Sequence, residues 1–154
     1  MLIVNTDASS KKEKPNILIG YVIYKDDVVM SKDVREIDIT KEIEAKKINE
    51  TIYIELLSVN FVLEELLNNQ IYDEAEINIY NNNTSVIYIL NRLFRHKRKT
   101  TKIEEILKVE LENAKNMISR IGTVKFKYIS SKDNKAHNTL EIIEKHVKYI
   151  RNLC

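Results

Sequence analysis

A chain of 154 residues, 44% hydrophobic and 31% charged, is long enough for one domain with an ordinary buried core and too apolar to be disordered. Its formal charge of +2 neither demands nor excludes a nucleic-acid partner. The single cysteine, Cys154, excludes an intrachain disulfide and a cysteine-based zinc site, and points to a reducing cytosol. The apolar run from Met1 to Val4 is too short for a signal peptide, and no stretch reaches the length of a membrane span. The expectation is a cytoplasmic chain without membrane contact. Lys, Ile and Asn are abundant in a way that fits nucleotide bias in a low-GC genome, so an asparagine alone carries little weight.

Leu2 to Ala8 reads as a first strand, followed by the polar turn or loop "SSKKEKPN". "ILIGYVIYKDDVVMSKDVREIDIT" holds two β-rich runs around Lys25-Asp26-Asp27, a hairpin signal. From about Glu50 the period changes: Ile52, Leu56, Val59, Leu63, Leu66 and Leu67 recur every three or four residues, giving a buried helix through about Asn68. "EAEINIY" is a fourth strand. "TSVIYILNRLF" is a short amphipathic helix with Asn83 or Thr84 as its N-cap, and the basic tract "RHKRK" follows it. "TKIEEILKVELENAKNMISRIG" is a further amphipathic helix closed by Gly122. "TVKFKYIS" is a fifth strand by alternation, and "DNKAHNTLEIIEKHVKYIRNLC" ends the chain as a helix with Leu140, Ile143, Val147 and Ile150 on one side. Hairpin-linked strands followed by alternating helices and strands predict a single α/β domain over residues 1–154: a five-stranded mixed sheet, its first three strands antiparallel, flanked by helices.

"VNTDASS", with Asp7 at the centre of the first strand, resembles the first motif of the ribonuclease H family, a Thr- or Tyr-led Thr-Asp-Gly-Ser. "NETIYIELLSVNFVLEEL" resembles the second, a glutamate near the start of the central helix, here Glu55. "INIYNNNTSVI" is similar to the fourth strand and next helix start, where the family carries an aspartate; the matching residue is Asn82. "VKFKYISSKDNKAHNTLEII" is similar to the last strand, loop and final helix, and the aspartate of the family's Asn-Lys-x-Ala-Asp-x-Leu falls on Asn138. The resemblance runs from Leu2 to about Ile143, with the motifs in family order. It implies a ribonuclease H-like fold and, as candidate active-site positions, Asp7, Glu55, Asn82 and Asn138.

The family cleaves the RNA strand of an RNA·DNA hybrid with two Mg²⁺ ions held by four carboxylates. Two dications roughly 3.5–4 Å apart need negative charge between them, and Mg²⁺ favours anionic oxygen. Only Asp7 and Glu55 supply it here as metal ligands. A dication and a carboxylate about 4 Å apart attract by about 8 kcal/mol gross at an effective dielectric of about 20, so losing two such partners weakens Mg²⁺ or Mn²⁺ occupancy severely. The resemblance therefore implies a nucleic-acid-binding domain, for an RNA·DNA hybrid or duplex RNA, whose cleavage is lost or much reduced. An active divergent nuclease using two divalent ions and a protein-interaction scaffold on the same fold are the rivals.

Each residue also has a plainer reading. Asp7 is otherwise a strand acid and Glu55 a helix-surface acid; Asn82 is otherwise a turn or cap residue. Asp133 lies close enough in sequence to reach a vacated site. The three histidines, His96, His137 and His146, read as solvated. Arg95, Lys97, Arg98 and Lys99 are candidate phosphate contacts, as are the lysines of "KKEK", and the alternative for both is a solvated charge run. Lys125 and Lys127 alternate with aromatic residues and can present charge on one sheet face.

Overall fold

The computed structural model describes residues 1–10, 16–46, 50–69, 76–95 and 100–138. Five strands, β1 (Leu2–Ser10), β2 (Asn16–Lys25), β3 (Val28–Asp38), β4 (Ile77–Asn81) and β5 (Val124–Tyr128), form one sheet in the order β3-β2-β1-β4-β5. β1, β2 and β3 pair antiparallel, whereas β4 joins β1, and β5 joins β4, in parallel. The mixed five-stranded sheet expected from the sequence is the sheet observed.

Asp26 and Asp27 form the two-residue turn between β2 and β3, both with positive φ (50° and 65°). That is the geometry whose twist matches flanking strands, and aspartate is one of the few non-glycine residues that tolerate it. α1 (Thr40–Lys46) follows β3 and has no counterpart in the sequence reading, because "TKEIEAK" is too short to display a helical period.

α2 (Glu50–Asn68) is the central helix. Val59, Val62 and Leu63 are fully buried, and Leu56 nearly so, against Val4, Ile19, Ile23 and Ile79 of the sheet. α3 (Thr84–Asn91) is capped by Asn83, whose side chain accepts from the Val86 N–H at 3.0 Å. Asn83 rather than Thr84 fills the cap. The single helix expected after the basic tract is two: α4 (Lys102–Ile106) and α5 (Lys108–Ile121), broken at Leu107, where φ −92° and ψ 16° leave the helical region. Leu107 is wholly buried there, and burial of its side chain offsets the lost helical continuity. Asn60 of α2 donates to the Glu110 carbonyl at 3.0 Å, tying α5 to the core helix. Gly122 ends α5 with φ 124°, a conformation that glycine alone adopts without strain.

A helical turn at 135–138 follows β5. The remainder of the expected final helix, including Leu140, Ile143, Val147 and Ile150, lies outside the described residues, as do "KKEK", His96, His146 and Cys154. Among the described residues no helix is long and apolar enough to cross a membrane.

The turn provides a test of the hairpin. Asp27→Gly removes the cost of holding an L-residue at positive φ and is expected to stabilise the chain by about 0.5–1 kcal/mol, read as a higher midpoint in urea unfolding. An unchanged or lower midpoint would mean that the two-residue turn is misassigned.

Candidate active site

β1 carries Asp7 beyond the middle of the sheet, where α2 crosses it and Glu55 descends to meet it. Both carboxyls are buried, Asp7 at 2% and Glu55 at 4% exposure. The two acids lie close enough for the charge of one to oppose ionisation of the other. Burial first, and the Asp7 charge second, push Glu55 up to about 9; the Asn81 amide and the Ala8 N–H, which favour its ionised form, offset only part of this.

The asparagine that meets this pair is Asn81. Ile77, Ile79 and Asn81 alternate on one face of β4, so the strand's buried face delivers Asn81, wholly buried, to the acids. Its Nδ2 donates to Glu55 Oε2 at 2.7 Å and to Thr6 Oγ1 at 3.0 Å. Its Oδ1 accepts the Asn83 backbone N–H at 2.8 Å. The backbone donor fixes which way the amide faces, and the side it presents to the acids is a hydrogen-bond donor. Asn82, the expected position, is one residue further on: its Nδ2 donates to Ser131 Oγ at 2.8 Å, away from Glu55.

A similar displacement holds at the end of the chain. Asn134 caps the turn at 135–138: its Oδ1 accepts from the Ala136 and His137 N–H groups at 2.9 and 3.2 Å, while its Nδ2 donates to the Thr6 carbonyl at 2.9 Å. Asn5 Oδ1 accepts the Lys135 N–H at 2.9 Å, and the Lys135 ammonium lies 3.8 Å from the centre of the Tyr24 ring. Ala136 packs inward at 1% exposure. The next residue, His137, sets Nδ1 2.8 Å from Asp7 Oδ2. Reading His137 as a solvated surface histidine is therefore corrected: its side chain is 42% exposed, but its ring is fixed on a buried acid. Asn138 turns outward and is exposed, meeting the cap only through its backbone N–H to the Asn134 carbonyl at 3.4 Å. Asp133 is exposed too and accepts from Ser130 Oγ at 3.0 Å in the preceding turn.

The structure thus brings together Asp7 and Glu55 with Asn81 and His137, and leaves Asn82 and Asn138 outside the cluster. Both missed residues had a signal. Counting from buried Ile77 by twos reaches 81, and aligning the small Ala136 with the alanine of the family pattern places His137 next to it, where the pattern has aspartate.

Of the basic tract only Arg95 is described; Lys97, Arg98 and Lys99 lie outside the described residues. Arg95 lines an open groove of about 520 Å³ with Lys108 and Lys115, and Glu104, Glu105 and Glu112 share the same groove. Lys125 is held by Glu76 at 3.1 Å, whereas Lys127 is exposed on the same strand.

Sheet order, central helix and the position of the acids define a ribonuclease H-like fold. The solved structures it resembles include ribonucleases H1 and a ribonuclease H domain. One, from Halobacterium salinarum, superposes with a TM-score of 0.66 at 12% identity, over 91% of this chain and 97% of its own. LC11 ribonuclease H1, solved in complex with an RNA/DNA hybrid, gives 0.65 at 16% identity, over 88% and 89%. The N-terminal ribonuclease H domain of a Mycobacterium tuberculosis protein gives 0.65 at 10% identity, over 95% and 97%. No family model matches the sequence, and no curated protein matches it significantly.

Two divalent cations fit this donor set poorly. Asp7 and Glu55 are the two carboxyls of the cluster, burial favours the neutral form of Glu55, and Asn81 turns an N–H group rather than its oxygen toward Glu55. Among the described residues no group of three or more His, Cys, Asp and Glu side chains is arranged to hold a metal ion.

The Glu55 proton has a consequence for stability. The folded chain keeps it to about pH 9, whereas an unfolded glutamate releases it near about 4.3. That contribution is fully present below the unfolded value and is lost as pH rises through the folded one. Urea unfolding in chelator should therefore show stability falling from about pH 5 to about pH 9. Glu55→Gln, which stays neutral, should flatten the decline; an unchanged slope in that variant would place the proton elsewhere.

Proposed function

We propose that this chain is a nucleic-acid-binding ribonuclease H-like domain, taking an RNA·DNA hybrid or duplex RNA, in which two-metal cleavage is lost or much reduced. The observation that carries the reading is the direction of the Asn81 amide. A metal-binding residue must turn oxygen toward its neighbours; Asn81 gives its oxygen to the Asn83 backbone and its N–H group to Glu55. Such an amide stabilises a buried carboxyl where no cation does. His137 supports the same reading from the other side, since its ring nitrogen, 2.8 Å from Asp7 Oδ2, occupies space beside that carboxylate where a cation would otherwise lie. On this reading Asp7 and Glu55 are the remnant of a Mg²⁺ or Mn²⁺ site, and the cluster holds the sheet, α2 and the segment after β5 in register.

Support for the nucleic-acid partner comes from the fold, from the hybrid bound by LC11 ribonuclease H1, and from the basic tract. Arg95, Lys97, Arg98 and Lys99 are the phosphate contacts of this proposal, with Lys108 and Lys115 beside Arg95. Contacts of that kind bind without sequence preference and release counterions.

Two assays test the proposal. Binding to a labelled RNA·DNA hybrid in chelator should weaken with salt, with a log–log slope of about −3 to −4 if the four tract residues each meet a phosphate. Replacing all four by alanine should remove most of that slope. Cleavage of the same hybrid in Mg²⁺ or Mn²⁺ should be absent for the natural chain and appear in an Asn81→Asp/His137→Asp double variant, which supplies the two missing anionic ligands. Cleavage by the natural chain, abolished by Asp7→Asn, would establish an active enzyme instead. Absence of both binding and cleavage would favour a protein-interaction scaffold.

A further inference from the structure

β3 lies at the end of the sheet, and eight of its eleven residues are exposed. An edge of this length is a template for another strand unless charge blunts it. The centre of β3 is charged, Lys32-Asp33-Val34-Arg35-Glu36, but the order of its signs does more than repel a neighbour. Read along the strand the signs are plus, minus, neutral, plus, minus. The same stretch reversed and laid alongside matches every charge with its opposite.

We infer that β3 is a self-recognition edge, on which a second copy of this chain pairs antiparallel about a two-fold axis at Val34, extending the two sheets into one. In that register Asp33 faces the partner's Arg35, and Lys32 faces the partner's Glu36. The two-fold axis repeats each pair. Residues directly opposite on antiparallel strands share a sheet face, so each pair meets on its own side. Neighbouring registers lack this complementarity. Moving the axis half a residue sets Lys32 against the partner's Arg35, or Asp33 against the partner's Glu36. Moving it a full residue sets Asp33 or Arg35 against its own copy.

The backbone is compatible with this arrangement. The Val34 N–H is held by the Asp33 carboxylate at 2.8 Å, so an edge donor at the proposed axis is satisfied by a side chain. On pairing, that N–H donates to the partner's Val34 carbonyl, and Asp33 turns to the partner's Arg35. The strand's apolar start lies near the far end of the pairing: Val28, Val29 and Met30 are 62%, 49% and 49% exposed, and this register lays Met30 beside the partner's Asp38, the last residue of its β3. Arg35 is already engaged within its own chain, its guanidinium 4.3 Å from the centre of the Phe61 ring and 3.9 Å from Glu64. Lys32 and Glu36 are accordingly the better residues to change, because both are exposed; Glu36 accepts a surface hydrogen bond from Asn16 at 3.1 Å.

The experiment is sedimentation equilibrium of the full chain over a concentration series, comparing natural protein with Lys32→Glu, Glu36→Lys and the double swap. The natural chain should form a dimer. Each single variant turns two attractive pairs into repulsive ones and should weaken dimerisation about tenfold or more. The double swap restores complementarity and should recover the dimer, as should mixing the two single variants as a heterodimer. A natural chain that is monomeric up to submillimolar concentration overturns the inference. So does a dimer indifferent to the single changes, or one that the double swap fails to recover. None of these results depends on whether the chain binds nucleic acid.

Discussion

Two carboxyl groups cannot lie against each other in a protein interior as two anions. Asp7 and Glu55 do lie against each other, at 2% and 4% exposure, so the structure must supply either cations or a proton with hydrogen-bond donors around it. The residues present favour the second solution. Asn81 turns its N–H group to Glu55, His137 turns Nδ1 to Asp7, the Ala8 N–H helps to hold Glu55, and burial beside Asp7 favours the neutral form of Glu55. Much of the local architecture follows from that requirement. Thr6 is fixed between the Tyr80 carbonyl and Asn81, and Asn134 reaches the Thr6 carbonyl, so the segment after β5 is anchored to β1 through the same few atoms.

The fold brings these groups together from four separate stretches of chain, β1, α2, the end of β4 and residues 134–137, by ordinary means. Parallel pairing of β4 with β1 aligns Asn5 with Tyr80, so Asn81 at the end of β4 reaches the level of Thr6, next to Asp7. The apolar face of α2 sets the helix across the sheet and leaves Glu55 at the edge of the core rather than within it. Hydrophobic burial fixes the positions of the backbones, and the polar cluster then specifies how their ends meet.

The sheet and the central helix were legible because they carry strong periods: Leu2, Val4 and Thr6 alternate on β1, and Leu56, Val59 and Leu63 repeat along α2. Order of motifs was legible as well, since Asp7 and Glu55 could be matched without a gap. The two asparagine assignments show what a linear reading lacks. Three consecutive asparagines give no chemical reason to choose among Asn81, Asn82 and Asn83; only the pleat of β4 decides, by turning Asn81 inward, Asn82 toward Ser131 and Asn83 into the cap of α3. At the C-terminal motif a single-residue difference in spacing moves the inward position from Asn138 to His137, a shift that composition cannot reveal but the inward packing of Ala136 does. The break at Leu107 was equally hidden, because an amphipathic pattern continues through it.

On this reading a proton, not a divalent cation, offsets the charge of Asp7 and Glu55. Carbon-detected NMR titration of the side-chain carboxyls, in chelator and again in millimolar Mg²⁺, tests it most directly, with Asp7→Asn and Glu55→Gln used to assign the two signals. The pair should retain one proton well above neutral pH, with Glu55 titrating far above the usual carboxylate range, and Mg²⁺ should leave this unchanged. Two fully ionised carboxylates at neutral pH, or a proton displaced by Mg²⁺, would contradict it and identify a working metal site.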